Sequence, residues 1–233
     1  MLNSKSQKLC AWSGIVAVML FFSALVCSGF MPVPSPSLTQ AEVVAMYQQN
    51  AGAIRIGMVQ LMISGMFMSP FVAVISLHLR RIEKGSLLWT YTQLSSGTVG
   101  ILLFIIPGVL FLVTAYRPDR SPELTYLMND ICWFLAIMPW PPAFMQNIAI
   151  GSAIISDKSP NPIFPRWVGF FNFWVAILFL PGTLIPFFKS GPFTWNGLFG
   201  FWLPAAVFGL WFMVMLPMLL KAIDRQAQEA TAT

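Results

Sequence analysis

The chain has 233 residues, of which 57% are hydrophobic, 15% aromatic and only 9% charged, with a mean hydropathy of +0.74. A soluble domain carries roughly 25% charged residues, and at this length it could not hide so much apolar surface from water. Soluble, disordered, fibrous and disulfide-scaffold classes are excluded, which leaves an all-α, polytopic transmembrane bundle forming a single integral domain over 1–233.

Six apolar stretches are long enough to cross a hydrocarbon core of ~30 Å, near 10–30, 56–78, 87–116, 127–155, 167–188 and 197–220. The first follows Lys5 and Lys8, but its run from Cys10 to Phe30 outlasts the roughly 7–15 apolar residues of a secretory signal and ends in no small-x-small site. It reads as a retained span. The segment 31–55 begins with Pro32, Pro34 and Pro36, an extended stretch. Thr39-Gln40-Ala41-Glu42 then forms a capping box, predicting a short amphipathic helix to about Gln49 that lies at the outer membrane surface. Its apolar face carries Val43, Val44 and Tyr47.

Spans 2 and 3 contain Met66 with Pro70, and Phe104 with Pro107-Gly108; Met138 with Pro142, and Phe179 with Pro181-Gly182, echo them in spans 4 and 5. A duplicated hairpin and chance both account for this. Ser96 and Gly100, four apart in span 3, read as close helix packing. Ser121-Pro122-Glu123 is a strong helix start for span 4, with serine at the N-cap and proline at the first helical position. The inner loop 157–166 holds three prolines and cannot be helical. The tail after Lys221 is polar and is expected to fray.

Span 4 breaks at its middle. Pro139, Pro141 and Pro142 have no N–H, so Leu135, Ile137 and Met138 lose their helical donors. Met138, Trp140 and Pro141, each followed by proline, are expected to leave the α region. Irregular backbone at membrane depth is tolerated only where it is buried in protein or lines a cavity, and broken helices mark binding sites in transporter-like folds. The walls on offer are Trp133, Phe134, Trp140, Phe144 and Met145; a kink packed by its neighbours is the structural alternative.

With the N-terminus inside, Lys5, Lys8, Arg80, Arg81, Lys84, Lys158, Arg166, Lys221 and Arg225 fall on the inner side, and Arg55, Arg117, Arg120 and Lys189 on the outer. The acids divide evenly, so the whole net charge of +5 lies inside. Both termini are then cytoplasmic. The excess reports topology and contact with anionic membrane lipids, and no basic face for nucleic acid exists.

Asp130 lies about two turns outward of the break. An ionisable group within a span is costly and often functional. Arg55 is its first expected partner and Lys189 its second, with a solvated carboxylate or a structural ion pair as alternatives. Gln146, Asn147, Asn172 and Ser96 share one depth, with Gln60 and Gln93 on either side. They serve as interhelical hydrogen bonds or as a polar path. His78 is the only histidine, and Cys10, Cys27 and Cys132 form no CxxC motif. Bis-histidine haem and His-based zinc chemistry are excluded, no metal or other cofactor is expected, and a Cys27–Cys132 disulfide is open. No phosphate loop or nucleophile elbow occurs.

Ala53-Ile54-Arg55-Ile56-Gly57, His78-Leu79-Arg80-Arg81-Ile82-Glu83, Pro139-Trp140-Pro141-Pro142, Phe164-Pro165-Arg166-Trp167-Val168-Gly169 and the run Phe187–Gly197 resemble an uncharacterised group of bacterial six-span membrane proteins, over about residues 40–222. The resemblance implies that fold and a bacterial inner-membrane location, and supplies no catalytic residues. The leading expectation is a protein that binds or moves a hydrophobic small molecule at the break, through Trp133, Phe134, Pro139, Trp140, Pro141, Pro142, Phe144, Gln146, Arg55 and Asn172. The alternatives are a membrane enzyme with Asp130 as acid or base beside Arg55 and Tyr126 or Tyr116, and a subunit or assembly factor meeting a membrane partner or a second copy of itself.

Overall fold

A computed structural model describes residues 4–231. The described residues are 81% helical and contain no strand. Helices α1 (Ser4–Cys27), α2 (Gln40–Ile82) and α3 (Leu88–Tyr116) run the length of the bundle. Then come α4 (Pro122–Ile137), α5 (Pro141–Ser156) and α6 (Arg166–Phe179), the last continued by a 3-10 segment, Leu180–Phe187. A π turn, Leu198–Trp202, leads into α7 (Leu203–Thr231). Five helical stretches are long and apolar enough to cross a membrane: Ser4–Cys27, Gln40–Ile82, Leu88–Tyr116, Arg166–Phe187 and Leu198–Ala230. This agrees with a multi-pass membrane protein.

We call the end where α1 begins and α7 finishes the near end, and the opposite one the far end. The fourth apolar stretch is divided. α4 and α5 have 16 residues each, about 24 Å, short of a full crossing.

α2 has 43 residues, about 64 Å of helix at 1.5 Å per residue. The capping box at its start is formed: Thr39 N and Thr39 Oγ1 both donate to Glu42 Oε2, at 2.7 and 2.8 Å, and Glu42 N donates to Thr39 Oγ1 at 3.3 Å. The expected separate surface helix does not exist. Val43, Tyr47, Ile54, Met58 and Leu61 are all buried, so the apolar stripe of Gln40–Gln49 runs unbroken into the next span. A stripe that keeps its helical period gives the chain no reason to stop. Tyr47 donates to Asn129 Oδ1 of α4 at 3.3 Å, which fixes this extension against the bundle.

The tail is also ordered rather than frayed. α7 continues to Thr231, and Lys8–Asp224 (2.6 Å), Arg81–Glu229 (2.8 Å) and Arg225–Glu229 (3.0 Å) tie it to α1, α2 and itself. Arg225 further donates to the carbonyls of Asn161 and Pro162, at 2.8 and 3.0 Å. The loop 157–165 is non-helical, as its prolines require. Asp157 organises it by accepting from Ser159 N, Ser159 Oγ and Ile163 N at 3.0, 2.7 and 3.0 Å.

The helices meet where side chains are small. A Cβ at Gly57 would lie 2.5 Å from Ala24 O, so α1 and α2 touch backbone to backbone there. On α3 the close approaches are at Gly97, which faces Val72 and Gln146, and at Gly108, which faces Met62, and not at Gly100, where nothing stands within 4 Å. α4 begins at Pro122 with Ser121 at the N-cap, although the serine side chain makes no capping bond. Pro70 and Pro107 sit inside continuous helices, whereas Pro142 and Pro181 mark a break and a 3-10 segment. The prolines of the sequence echo therefore stand in different backbone settings. Cys27 is exposed, Cys132 is buried, and both thiols are free.

Candidate functional site: an apolar cavity at the broken helix

Three helices depart from regular geometry beside one cavity, and each does so next to proline. Between α4 and α5, Met138 N still donates to Phe134 O at 2.9 Å, but Pro139 cannot donate to Leu135 O. Trp140 N instead reaches Met138 O at 2.7 Å, a tight turn centred on Pro139, and α5 begins with Phe144 N to Trp140 O at 3.0 Å. Met138 and Trp140 keep αR angles, φ −71°, ψ −32° and φ −72°, ψ −23°, and Pro141 is the first residue of α5, so the departure from the α region expected at these three residues is not found. A following proline disfavours the α region without forbidding it, and one tight turn is enough to divide the helix. Pro141 likewise has no N–H for Ile137 O, and Trp140 N, the helical donor for Ala136 O, is turned to Met138 O, so the last carbonyls of α4 lose their helical donors together.

In α6 the regular helix ends at Phe179, and Pro181 and Pro186 lie in the 3-10 segment that follows. In α7, Pro204 cannot donate to Gly200 O; upstream of it Gly197 O accepts from both Phe201 N at 2.9 Å and Trp202 N at 3.3 Å. That shared acceptor is the π turn, a feature common at functional sites.

The cavity here is partly open and has a volume of about 150 Å³. α3 gives Leu103 and Phe104; α4 gives Ala136 and Ile137; the break and the start of α5 give Pro139, Trp140 and Ala143. Phe179 and Gly182 come from α6 and its 3-10 extension, Gly200 and Phe201 from the π turn, Pro204, Ala205 and Phe208 from α7, and Phe21 from α1. No lining side chain is charged. Trp140 stands edge-on to Phe144, with ring centres 5.6 Å apart at 83°. Gly182 leaves room for it, since a Cβ there would meet Trp140 Cδ1 at 3.0 Å. Phe21 bridges Phe104 and Phe208 at centroid distances of 5.7 and 5.3 Å, in edge-to-face geometry that fixes this side of the wall. A space of this size accepts a molecule on the scale of benzene.

Of the residues expected at a ligand site, Pro139 and Trp140 line the cavity. Phe144 supports Trp140 from behind, and Pro141 and Pro142 form the first turn of α5. Trp133 belongs elsewhere: it is 1% exposed and packs on Phe30 and Phe111, with both ring centres 5.1 Å away. Phe134 packs edge-on against Trp195 at 5.8 Å. Asn172 is buried between α6 and α7, where Trp211 Nε1 donates to its Oδ1 at 2.9 Å and its Nδ2 donates to Val168 O at 2.8 Å. Gln146 is buried beside Gly97, and its Nε2 has no hydrogen-bond partner.

Arg55 is exposed and donates from Nε to Ala51 O of its own helix at 3.1 Å. Among the described residues no ion pair joins it to Asp130. Asp130 is half-buried near the far end, and the cation whose field reaches it is Lys189. It does not line the cavity. Tyr126 donates to Leu38 O at 3.3 Å. Two of the other amides make contacts between helices, Gln60 with Ser23 at 2.5 Å and Gln93 with Ser76. No cluster of three or more His, Cys, Asp or Glu suited to a metal ion occurs among the described residues. No family model, no curated protein and no solved structure matches this chain.

Most of the walls escaped the sequence reading, because α1, α3, α6 and α7 supply them from far along the chain. One signal was available: Pro181 and Pro204, like Pro139, stand within apolar stretches where proline removes a backbone donor.

Proposed function

We propose that this is a six-crossing protein of the bacterial inner membrane, with both termini cytoplasmic, that binds or moves a hydrophobic small molecule at the proline break. The sixth crossing is α4 and α5 together. α4 is tied to α2 at the far end through Tyr47 and Asn129, and the chain after α5 is tied to α7 at the near end through Arg225. The sorting of Lys and Arg supports the orientation, and the resemblance to bacterial six-span proteins supports the location. Membrane lipid is the immediate surroundings of the exposed apolar faces, and a second copy or another membrane protein is a further partner open to them.

The observation that carries the binding reading is the convergence of three helix irregularities on one uncharged cavity. A kink alone needs one proline and no partner irregularity. Here α4–α5, α6 and α7 each give up regular hydrogen bonds beside the same space, a cost of roughly 1 kcal/mol per bond that packing alone does not require. The test is native mass spectrometry of the full chain extracted from its own membrane. Wild type retains a small apolar mass, and Ala205→Trp, which fills the cavity, loses it while melting at an unchanged temperature. Retention of the same mass by Ala205→Trp places any ligand elsewhere and overturns the reading.

A further inference from the structure

Resting on that reading, we infer that the cavity is entered sideways from the bilayer and holds the end of a lipid hydrocarbon chain, whose head group stays outside. The space is partly open, and the direction of the opening follows from what closes its two ends. Toward the far end it is roofed by the loop 190–197. Gly200 lines the cavity, and a Cβ on it would overlap the carbonyl oxygen of Thr194, so the loop rests directly on the wall. Thr194 and Trp195 are both buried. Trp195 Nε1 donates to Pro34 O and Ser37 Oγ to Lys189 O, each at 2.9 Å, which ties the roof to the segment 34–37. Toward the near end the wall helices are packed shut. Trp211 and Phe212, one turn beyond Phe208, both pack on Phe71 of α2, with ring centres 5.5 and 5.1 Å away. Gly14 of α1 abuts the same ring, where a Cβ would lie 2.5 Å from Phe71 Cδ2. Trp211 is bonded to Asn172 of α6, and Gln146 of α5, one turn beyond Ala143, stands against Gly97 of α3. All of these residues are buried.

With roof and floor closed, the opening lies between helices, at the depth of the apolar stretches. Leu102 of α3, Leu135 of α4, Leu180 of the 3-10 segment and Trp202 of the π turn are exposed at that depth, and each directly neighbours a wall residue in the chain. A surface of this kind faces hydrocarbon, so what enters comes from the lipid phase. The wall then selects which part of a lipid is held. It carries no charge and no hydroxyl, amide or carboxyl side chain, so a head group inside it would lack both counter-charge and side-chain acceptor, at a large desolvation cost. The volume of about 150 Å³ admits the end of a chain and excludes a whole lipid. A chain leaving other chains gains nothing from the hydrophobic effect, so its hold comes from dispersion contacts with the rings of Phe21, Phe104, Phe179, Phe201, Phe208 and Trp140.

The experiment uses the full chain in phosphatidylcholine vesicles and three photoreactive probes. One is a phosphatidylcholine with a diazirine at the end of an acyl chain, one carries the diazirine on its head group, and one is a charged, water-soluble aryl diazirine. Adducts are mapped to residues by mass spectrometry, with Met213, exposed on α7, as the lipid-facing reference. The chain-end probe marks Trp140 and Phe208 on the order of tenfold more than either other probe, the penalty for an uncompensated polar group in this wall. Ala205→Trp, and Ala143→Phe from α5, remove the wall adducts and leave those at Met213. Wall labelling that is strongest with the aqueous probe overturns entry from the bilayer, and labelling strongest with the head-group probe overturns the chain as occupant. Wall adducts that persist in both variants place the chain outside the cavity and overturn the inference as well. If no probe marks the wall while native mass spectrometry still shows an apolar mass that Ala205→Trp loses, the lipid chain is excluded and the binding reading stands. If neither is seen, both fall.

Discussion

Asn172 shows how this bundle treats a polar group at depth. Its carbonyl accepts from Trp211 and its amide donates to Val168, so two buried groups on different helices satisfy each other. Asn172→Leu removes the bond and strands the indole N–H, and a loss of about 1–2 kcal/mol in unfolding free energy follows, with ligand retention unchanged. Chemical denaturation in detergent checks the first part. A fall in retention without a fall in stability would return Asn172 to the site. The amide types at this depth were legible in the sequence; their partners were not, because Trp211 is 39 residues away and no local pattern joins them. Trp133 was misplaced for a related reason. A proline break resets which way each flanking side chain points, and periodicity upstream of it cannot say whether an indole faces the cavity or the core.

At the scale of the element, the break itself was readable, since three prolines in four positions leave carbonyls that no helix can satisfy. The tight turn that resolves it was not, because the proline rule excludes conformations statistically while one hydrogen bond, Trp140 N to Met138 O, decides the local case. The extent of α2 was missed because the capping box correctly marked a start and nothing in the following residues marked a stop. Replacing Pro139, Pro141 and Pro142 together by Ala restores the missing donors and favours one continuous helix. A melting temperature at or above that of wild type and loss of the bound apolar mass are expected; a variant that retains the mass would show that the break is dispensable. The near-end loop offers a separate test. Burial alone would raise the Asp157 carboxyl, but the hydrogen bonds from Ser159 and Ile163 and the nearby Arg225 outweigh it and hold the group below its ordinary value. Its stabilising effect is complete above the ordinary carboxylate range, roughly pH 4–5 upward, and is lost as pH falls through the lowered value. Hydrogen exchange at 158–165 should therefore quicken on acidification below about pH 4 in wild type, and be fast at neutral pH in Asp157→Ala. Protection that does not change with pH would remove Asp157 from that role.

For the whole molecule, composition and charge reach furthest. Apolar length fixes the solvent, and the uneven placement of Lys and Arg gives an orientation that single-cysteine labelling can read. In a background lacking Cys10, Cys27 and Cys132, a cysteine at Ser37 should react with a membrane-impermeant maleimide added to whole cells, and one at Ser159 only after the inner face is opened. The reverse pattern would invert the topology. What no composition conveys is that segments from five parts of the chain close around one space. The most direct measurement is an experimental structure of the full chain in lipid nanodiscs made from its native membrane. Non-protein density is expected between Trp140, Phe104 and Phe208, continuous with no charged side chain. Trp140 turned inward to fill that space, with the walls collapsed onto it, would contradict it and leave the proline break as a packed kink.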